Sequence, residues 1–578
     1  MRPTDMERDE TIMTRKFEDF VYERPDMEQL TERMNELLQQ FSEAGSPQEQ
    51  QALLTRMNEL RSHFDSMAAI ARIRHTIDTN DPFYKEEQEF FDQQTPVYQG
   101  FISKYYTALA ESPYRAALEE KWGKQLFRIA ERTVKTFTPE VIDELRQENK
   151  LVSDYVKLTA SASISFDGRE LNLAQLTPYT LSTDRETRKR ALDAGYAFFA
   201  EHETALDEIY DKLVQVRTSI ARKLGYPNFV QLGYDRLKRS DYDAADVAVF
   251  REQVRKHLVP LASRIREQQR QMLGVDRLAY YDAKYRFPKG NPKPQGDADW
   301  IVDNAKRMYA ELSPETDAFF RMMTDRGLMD LVSKTGKAVG GYCSYIKAEQ
   351  VPFIFSNFNG TSGDVDVLTH EAGHAFQKYM SRHHEVPEYL HPTLEACEIH
   401  SMSMEFFAWP WMELFFRKDT DKYKYEHLSA AILFIPYGTA VDEFQHFVYE
   451  YPEATPAERK AKWRELESVY RPDLALEEND LLNRGGYWYQ QRHIFRTPFY
   501  YIDYTLAQIC ALQFWSRAQS DSKRAWDDYV RLCREGGSRS FSELVEVAGL
   551  LSPFAEGTVE SVIGDIGAWL EKADIRAF

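Results

Sequence analysis

His370-Glu371-Ala372-Gly373-His374 is the stretch on which the reading of this sequence turns. Residues four apart lie on one face of an α-helix, one turn above each other, so two imidazoles at this spacing reach a single metal ion. Glu371 is displaced around the helix by about 100 degrees. It points beside such a metal rather than at it, where a carboxylate can hold a metal-bound water. The flanks predict a helix. Asn359-Gly360-Thr361-Ser362-Gly363 is turn-like, and Thr361 followed by Asp364 is a capping-box variant with Asp in place of Glu. H-E-x-x-H is short enough to arise by chance, so the surrounding sequence has to decide what it means.

Two histidines leave a zinc ion short of ligands, because a catalytic zinc takes three protein ligands and keeps one position for water. Six of the thirteen histidines fall between positions 370 and 400: His370, His374, His383, His384, His391 and His400. The metzincin spacing H-x-x-G-x-x-H fails, since Met380 stands where its last histidine would be. A glutamate on a following helix is the alternative. From Leu394 to about Trp409-Pro410 the sequence reads as helical, with Glu395, Glu398, Met402 and Glu405 on one face. Glu398 lies 24 residues beyond His374, which leaves room for a helix end, a reversing loop and a first turn. Glu395 is its rival. A metal-bound imidazole also needs an acceptor for its other N–H. Asp366, one turn before His370, is a candidate, although its place in the first turn better suits a carboxylate offsetting the helix dipole.

Working upstream, Gly340–Tyr345 and Pro352–Phe358 are the strongest strand candidates, aromatic, β-branched and bounded by turns. They either pack the core or offer an edge strand to an extended peptide beside the metal. Further back, Met27, Leu30, Met34, Leu37, Leu38 and Phe41 recur at helical spacing. After Gly45, Ser46-Pro47-Gln48-Glu49 starts a second helix, and Asn80-Asp81-Pro82 ends it. Ser161–Leu173 reads as a small hairpin around Asp167-Gly168. Val247, Phe250, Val254, Leu258, Leu261 and Ile265 form one helical stripe with a kink at Pro260. Residues 286–298 form a surface loop, and residues 411–550 return to helices.

The composition is globular, 43% hydrophobic and 13% aromatic. A net charge of -19 argues against nonspecific binding to nucleic acid or anionic membranes. The four cysteines, Cys343, Cys397, Cys510 and Cys533, show no C-x-x-C and suit free thiols in a reducing compartment. Met1–Arg24 is charged throughout and has no secretory core. The longest apolar run, Ala430–Ile435, is far short of the roughly 18 residues that span a membrane. A cytoplasmic protein is the expectation.

His370–His374 followed by Glu398-Ile399-His400-Ser401-Met402-Ser403-Met404-Glu405 resembles the thimet-oligopeptidase-like zinc metallopeptidases, and among them the oligoendopeptidase F branch. The resemblance extends to Arg492-His493-Ile494-Phe495 and to Pro498-Phe499-Tyr500-Tyr501-Ile502-Asp503-Tyr504. It implies Zn²⁺ held by His370, His374 and Glu398, which displaces Glu395, with Glu371 as the base acting on a zinc-bound water. It places His493, Tyr501 and Tyr504 on the substrate side of the metal. Where family members carry a glycine-rich run, this chain has Arg496-Thr497-Pro498-Phe499, which makes a stiffer loop. The implied fold is mostly α: a large helical ellipsoid with a deep substrate channel and a small β-sheet next to the metal-binding helix. Its expected division is an N-terminal helical region, 1–180, and a catalytic domain, 181–565. The implied activity is zinc-dependent endopeptidase cleavage of short oligopeptides. A zinc exopeptidase, either a peptidyl-dipeptidase or a carboxypeptidase, would need a cation for a terminal carboxylate, and spacing singles out none. A non-catalytic peptide-binding protein would have no use for Glu371.

Overall fold

The computed structural model describes residues 15–575 and 578. Residues 1–14, most of the charged N-terminal stretch read above as lacking a secretory core, lie outside the described residues. Helix accounts for 71% of the chain, with two small sheets, so the mostly-α expectation holds. The N-terminal pair forms as the sequence predicts. Met27–Glu43 is capped by Asp26, whose side chain accepts from the Glu28 and Gln29 amides. Pro47–Ile77 is capped by Ser46, with Pro47 in the first turn. Pro82 starts the next helix, Pro82–Ala110, after the Asp81 cap.

The predicted hairpin is present as β1 (Ile164–Phe166) and β2 (Arg169–Leu171), antiparallel, with Asp167 and Gly168 both at positive φ in the turn. Pro260 acts on the helix in front of it. Lacking an N–H, it leaves the preceding turn short of a donor, and Val254–Leu258 widens into a π-helical turn before Val259–Leu273 resumes.

Two compact units emerge from the fold. The first gathers the described residues up to Val134 with Lys293–Lys418 and Arg517–Leu550; the second gathers Lys135–Pro292, Asp419–Ser516 and the described residues from Leu551.

In the first unit a three-stranded sheet precedes the motif helix. Both predicted strands form, as β4 (Tyr342–Ile346) and β5 (Val351–Phe358), which pair antiparallel. A third strand, β3 (Met329–Val332), pairs parallel to β5 on its other side, giving the order β3-β5-β4. β3 escaped the sequence reading because its four residues, two half-buried, then Leu331 buried and Val332 exposed, are too few to show a clear alternation. β5, central and covered on both faces, is a nearly unbroken apolar run, as such strands are. Pro352 is tolerated there because the β3 pairing begins only at Ile354, beyond it.

The motif helix is Gly363–Ser381. Its start differs from the expected capping box. Thr361 does not cap the helix; its amide and hydroxyl both donate to Asn359 Oδ1. Asp364 instead reaches back to accept from the Asn359 and Gly360 amides, at 2.9 and 2.7 Å. The carboxylate thus ties the end of β5 to the helix, a longer reach than the box allows. Leu394–Phe407, the glutamate helix, packs directly on the motif helix.

Gly373 marks the point of closest approach. A Cβ there would meet the His400 carbonyl oxygen at 2.5 Å and the Ser401 Cα at 2.6 Å. These are backbone atoms of the glutamate helix, which a rotamer change cannot move aside. Gly373→Ala is therefore expected to force the two helices apart, at about 1–3 kcal/mol. Chemical denaturation should register that loss, together with weakened metal binding. A variant of wild-type stability and affinity would contradict the account of this crossing.

Candidate metal centre and active site

The crossing at Gly373 brings three side chains together. One ligand atom from each of His370, His374 and Glu398 lies within 4.8 Å of the others. Glu398 Oε2 is 3.3 Å from His370 Nε2 and 3.6 Å from His374 Nε2. Glu398 is buried, and the Ser401 hydroxyl donates to its Oε2 at 3.0 Å. Among the described residues this is the one such group of three or more potential ligands.

The charge balance calls for a cation. Burial opposes a proton on His370, but its bonds to Glu398 and Glu405 outweigh burial and hold the imidazole well above its usual range. Burial drives His374 the other way, down to about 3. Glu398, despite burial, is held down to about 2 by the two imidazoles. A proton on His370 Nε2 thus faces Glu398 where a metal cation would take its place, while Nδ1–H remains bonded to Glu405. Two imidazole nitrogens and one carboxylate oxygen are the donor set of a catalytic divalent site, and zinc fits it.

Glu405 supplies the acceptor that His370 needs: Nδ1 and Glu405 Oε1 are 2.7 Å apart. That bond directs Nε2 toward the ligand cluster. The sequence had placed Glu405 on the right face without giving it this task, and had offered Asp366 instead. Glu398 and Glu405 are seven residues apart, two helical turns, so both reach His370 from one face. That spacing was the missed signal.

Glu371 sits one step around the helix, 8% exposed, beside Gly341 at the entrance to β4. Its Oε2 has no hydrogen-bond partner among the described residues. Burial raises its carboxyl to about 7, with the His370 charge pulling down and Glu398 pushing up. The other histidines of the cluster go elsewhere. His400 is fully buried, 3.7 Å from Cys533 Sγ at Nδ1, and burial lowers it to about 3. It is a neutral core histidine. His383 and His384 bond to backbone carbonyls of Met380 and Arg534. All four cysteines carry free thiols.

In the second unit His493, Tyr501 and Tyr504 come together. The imidazole centroid lies 4.9 Å from the Tyr501 ring and 5.9 Å from the Tyr504 ring, with Tyr500 at 5.6 Å. The stiff loop between them is clamped. Phe499 takes φ +67, unusual for a bulky residue. Its amide donates to Gln445 Oε1 at 3.0 Å and its carbonyl accepts from Arg239 at 2.6 Å. Arg239 also pairs with Asp503, both side chains fully buried. Asp503 lies between Tyr501 and Tyr504 in the chain, so this ion pair fixes the turn of helix that carries them.

The chain belongs to peptidase family M3. Residues 179–562 match Peptidase family M3 and residues 17–137 match the Peptidase M3 N-terminal domain. A solved structure described as PZ peptidase A with inhibitor 2 is 59% identical, covers 97% of this chain and 100% of its own, and superposes with a TM-score of 0.92. An oligoendopeptidase F homolog of Borreliella burgdorferi is 23% identical over 74% of each chain. Oligopeptidase PepF of Bacillus subtilis is 19% identical over 86% of this chain and 76% of its own. These relatives put the M3 chain in the oligoendopeptidase F branch, as a metal-dependent enzyme that hydrolyses oligopeptides. No helix among the described residues is long and apolar enough to cross a membrane.

Two outcomes follow for the M3 site. Glu405→Gln should weaken zinc binding about 10- to 100-fold, measured by competition with a chromophoric chelator; unchanged affinity would remove Glu405 from the site. Arg239→Leu strands a buried carboxylate and should cost about 3–5 kcal/mol in denaturant unfolding.

Proposed function

We propose that this M3 chain is a zinc-dependent endopeptidase of short oligopeptides, with Glu371 as the group that moves the proton. The observation that carries the reading is the Glu371 carboxylate, buried beside the three-ligand cluster, with one oxygen unpartnered among the described residues and its pKa raised to about 7. His370, His374 and Glu398 hold the metal. When bound, the cation lowers the pKa of water and polarises the scissile carbonyl. Glu371 accepts the proton of the attacking water and passes it to the leaving amine, a task suited to a carboxyl poised near neutral pH. Negative charge then builds on the carbonyl oxygen. His493, Tyr501 and Tyr504 donate to it as a side-chain oxyanion hole, a role supported by the family resemblance and by their clustering.

β4 is an outer strand of its sheet, and Gly341 just ahead of it abuts Glu371. We assign the substrate backbone to this strand, where pairing aligns an extended peptide without selecting its side chains. The free thiols and the -19 net charge support a cytoplasmic setting.

An internally quenched peptide blocked at both ends tests the reading. Internal cleavage abolished by a chelator and restored by zinc is expected. Cleavage restricted to peptides with a free end would make the enzyme an exopeptidase. Glu371→Gln should bind one equivalent of zinc yet lose about 10²–10⁴-fold in kcat. A fully active variant would remove Glu371 from the mechanism.

A further inference from the structure

His493 does not stand alone in the second unit. Gln491 Nε2 lies 2.7 Å from His493 Nδ1. On the other end of the same amide, the Tyr437 hydroxyl donates to Gln491 Oε1 at 2.7 Å. Gln491 is buried, and its backbone is pinned by a bond from its amide to the Trp488 carbonyl. An amide NH₂ donates only, so the Nδ1 facing it must be an acceptor. In a neutral imidazole the proton then resides on Nε2.

The direction of the amide is the crux, because a phenol can donate or accept. The Arg471 guanidinium lies over the Tyr437 ring, 5.4 Å from its centroid. A cation there draws electron density from the phenol, strengthening its O–H as a donor and weakening its oxygen as an acceptor. That favours the amide oxygen toward Tyr437 and the NH₂ toward His493. The reversed amide would pair NH₂ with the weakened phenol oxygen.

We propose that Gln491 is a positioning residue that holds His493 in the Nε2–H tautomer, oriented in turn by Tyr437 under Arg471. The imidazole then offers a hydrogen-bond donor at Nε2 while neutral. This rests on the reading of His493 as a donor to substrate, but the tautomer itself can be measured apart from it.

The full chain, zinc-loaded and labelled with ¹⁵N-histidine, gives the tautomer from long-range ¹H–¹⁵N spectra, with His493 assigned by difference against His493→Gln. A pyridine-like Nδ1 and a pyrrole-like Nε2 are expected. A protonated Nδ1 in the neutral wild-type ring overturns the proposal. Gln491→Glu replaces the donor with a pure acceptor and should invert the tautomer. It should also lower kcat about 10²-fold with KM little changed, the signature of a donor lost in the transition state. An inverted tautomer with unchanged kcat upholds the role of Gln491 and overturns instead the reading of His493 as a substrate donor. Tyr437→Phe leaves Gln491 and His493 intact and should bring the Nδ1–H form into view. An unchanged tautomer in that variant overturns the orienting role given to Tyr437.

Discussion

Everything at the metal centre depends on how closely two helices cross. The motif helix and the glutamate helix touch backbone to backbone at Gly373, against His400 and Ser401. Only at that distance does a carboxylate as short as Glu398 come within 3.3–3.6 Å of both imidazole Nε2 atoms. The glycine between the two histidines is thus as much a part of the candidate site as the three side chains proposed as ligands. The sheet enters the same constraint from the other side, since Asp364 ties the end of β5 to the start of the motif helix.

The electrostatics of the cluster follow from that proximity. Three carboxylates, Glu371, Glu398 and Glu405, surround two half-buried imidazoles. Burial alone would neutralise all of them. Instead Glu398 is held down by the two imidazoles, and His370 is held above its usual range by Glu398 and Glu405. Glu371 lies just outside this balance and is left near neutrality. One helix therefore carries both parts of the proposed site: the two imidazoles four residues apart that face Glu398, and between them the carboxylate proposed to move the proton.

Much of this was legible in the sequence, and the reasons differ from residue to residue. His370, His374 and Glu371 follow from helical geometry alone. Glu398 was one of two candidates until the longer motif was weighed, and the structure brings it, not Glu395, to the histidines. Glu405 was seen on the correct face, yet its bond to His370 depends on the crossing distance, which no single helix reveals. The same holds for Gly373, whose value lies in what a Cβ would strike. β3 was invisible because it is short and its parallel partner is distant in sequence. Thr361 was misassigned because Asn359 competes for its hydroxyl, a local bond that the capping pattern does not encode. In the second unit, the resemblance pointed to His493, Tyr501 and Tyr504 among thirty-three tyrosines and thirteen histidines. Gln491 and Arg239 could not be found that way. Arg239 meets Phe499 and Asp503 only in the folded chain, and Gln491, two residues from His493, gains its meaning from Tyr437, more than fifty residues away.

X-ray absorption spectroscopy of the zinc-loaded protein tests the central claim most directly. The account predicts a first shell of two imidazole nitrogens and carboxylate or water oxygens at about 2.0–2.2 Å, with no sulfur. In the Glu398→Ala variant the carboxylate contribution should be lost while both imidazoles remain. A zinc–sulfur scatterer near about 2.3 Å, or a third imidazole, would contradict the ligand set of His370, His374 and Glu398.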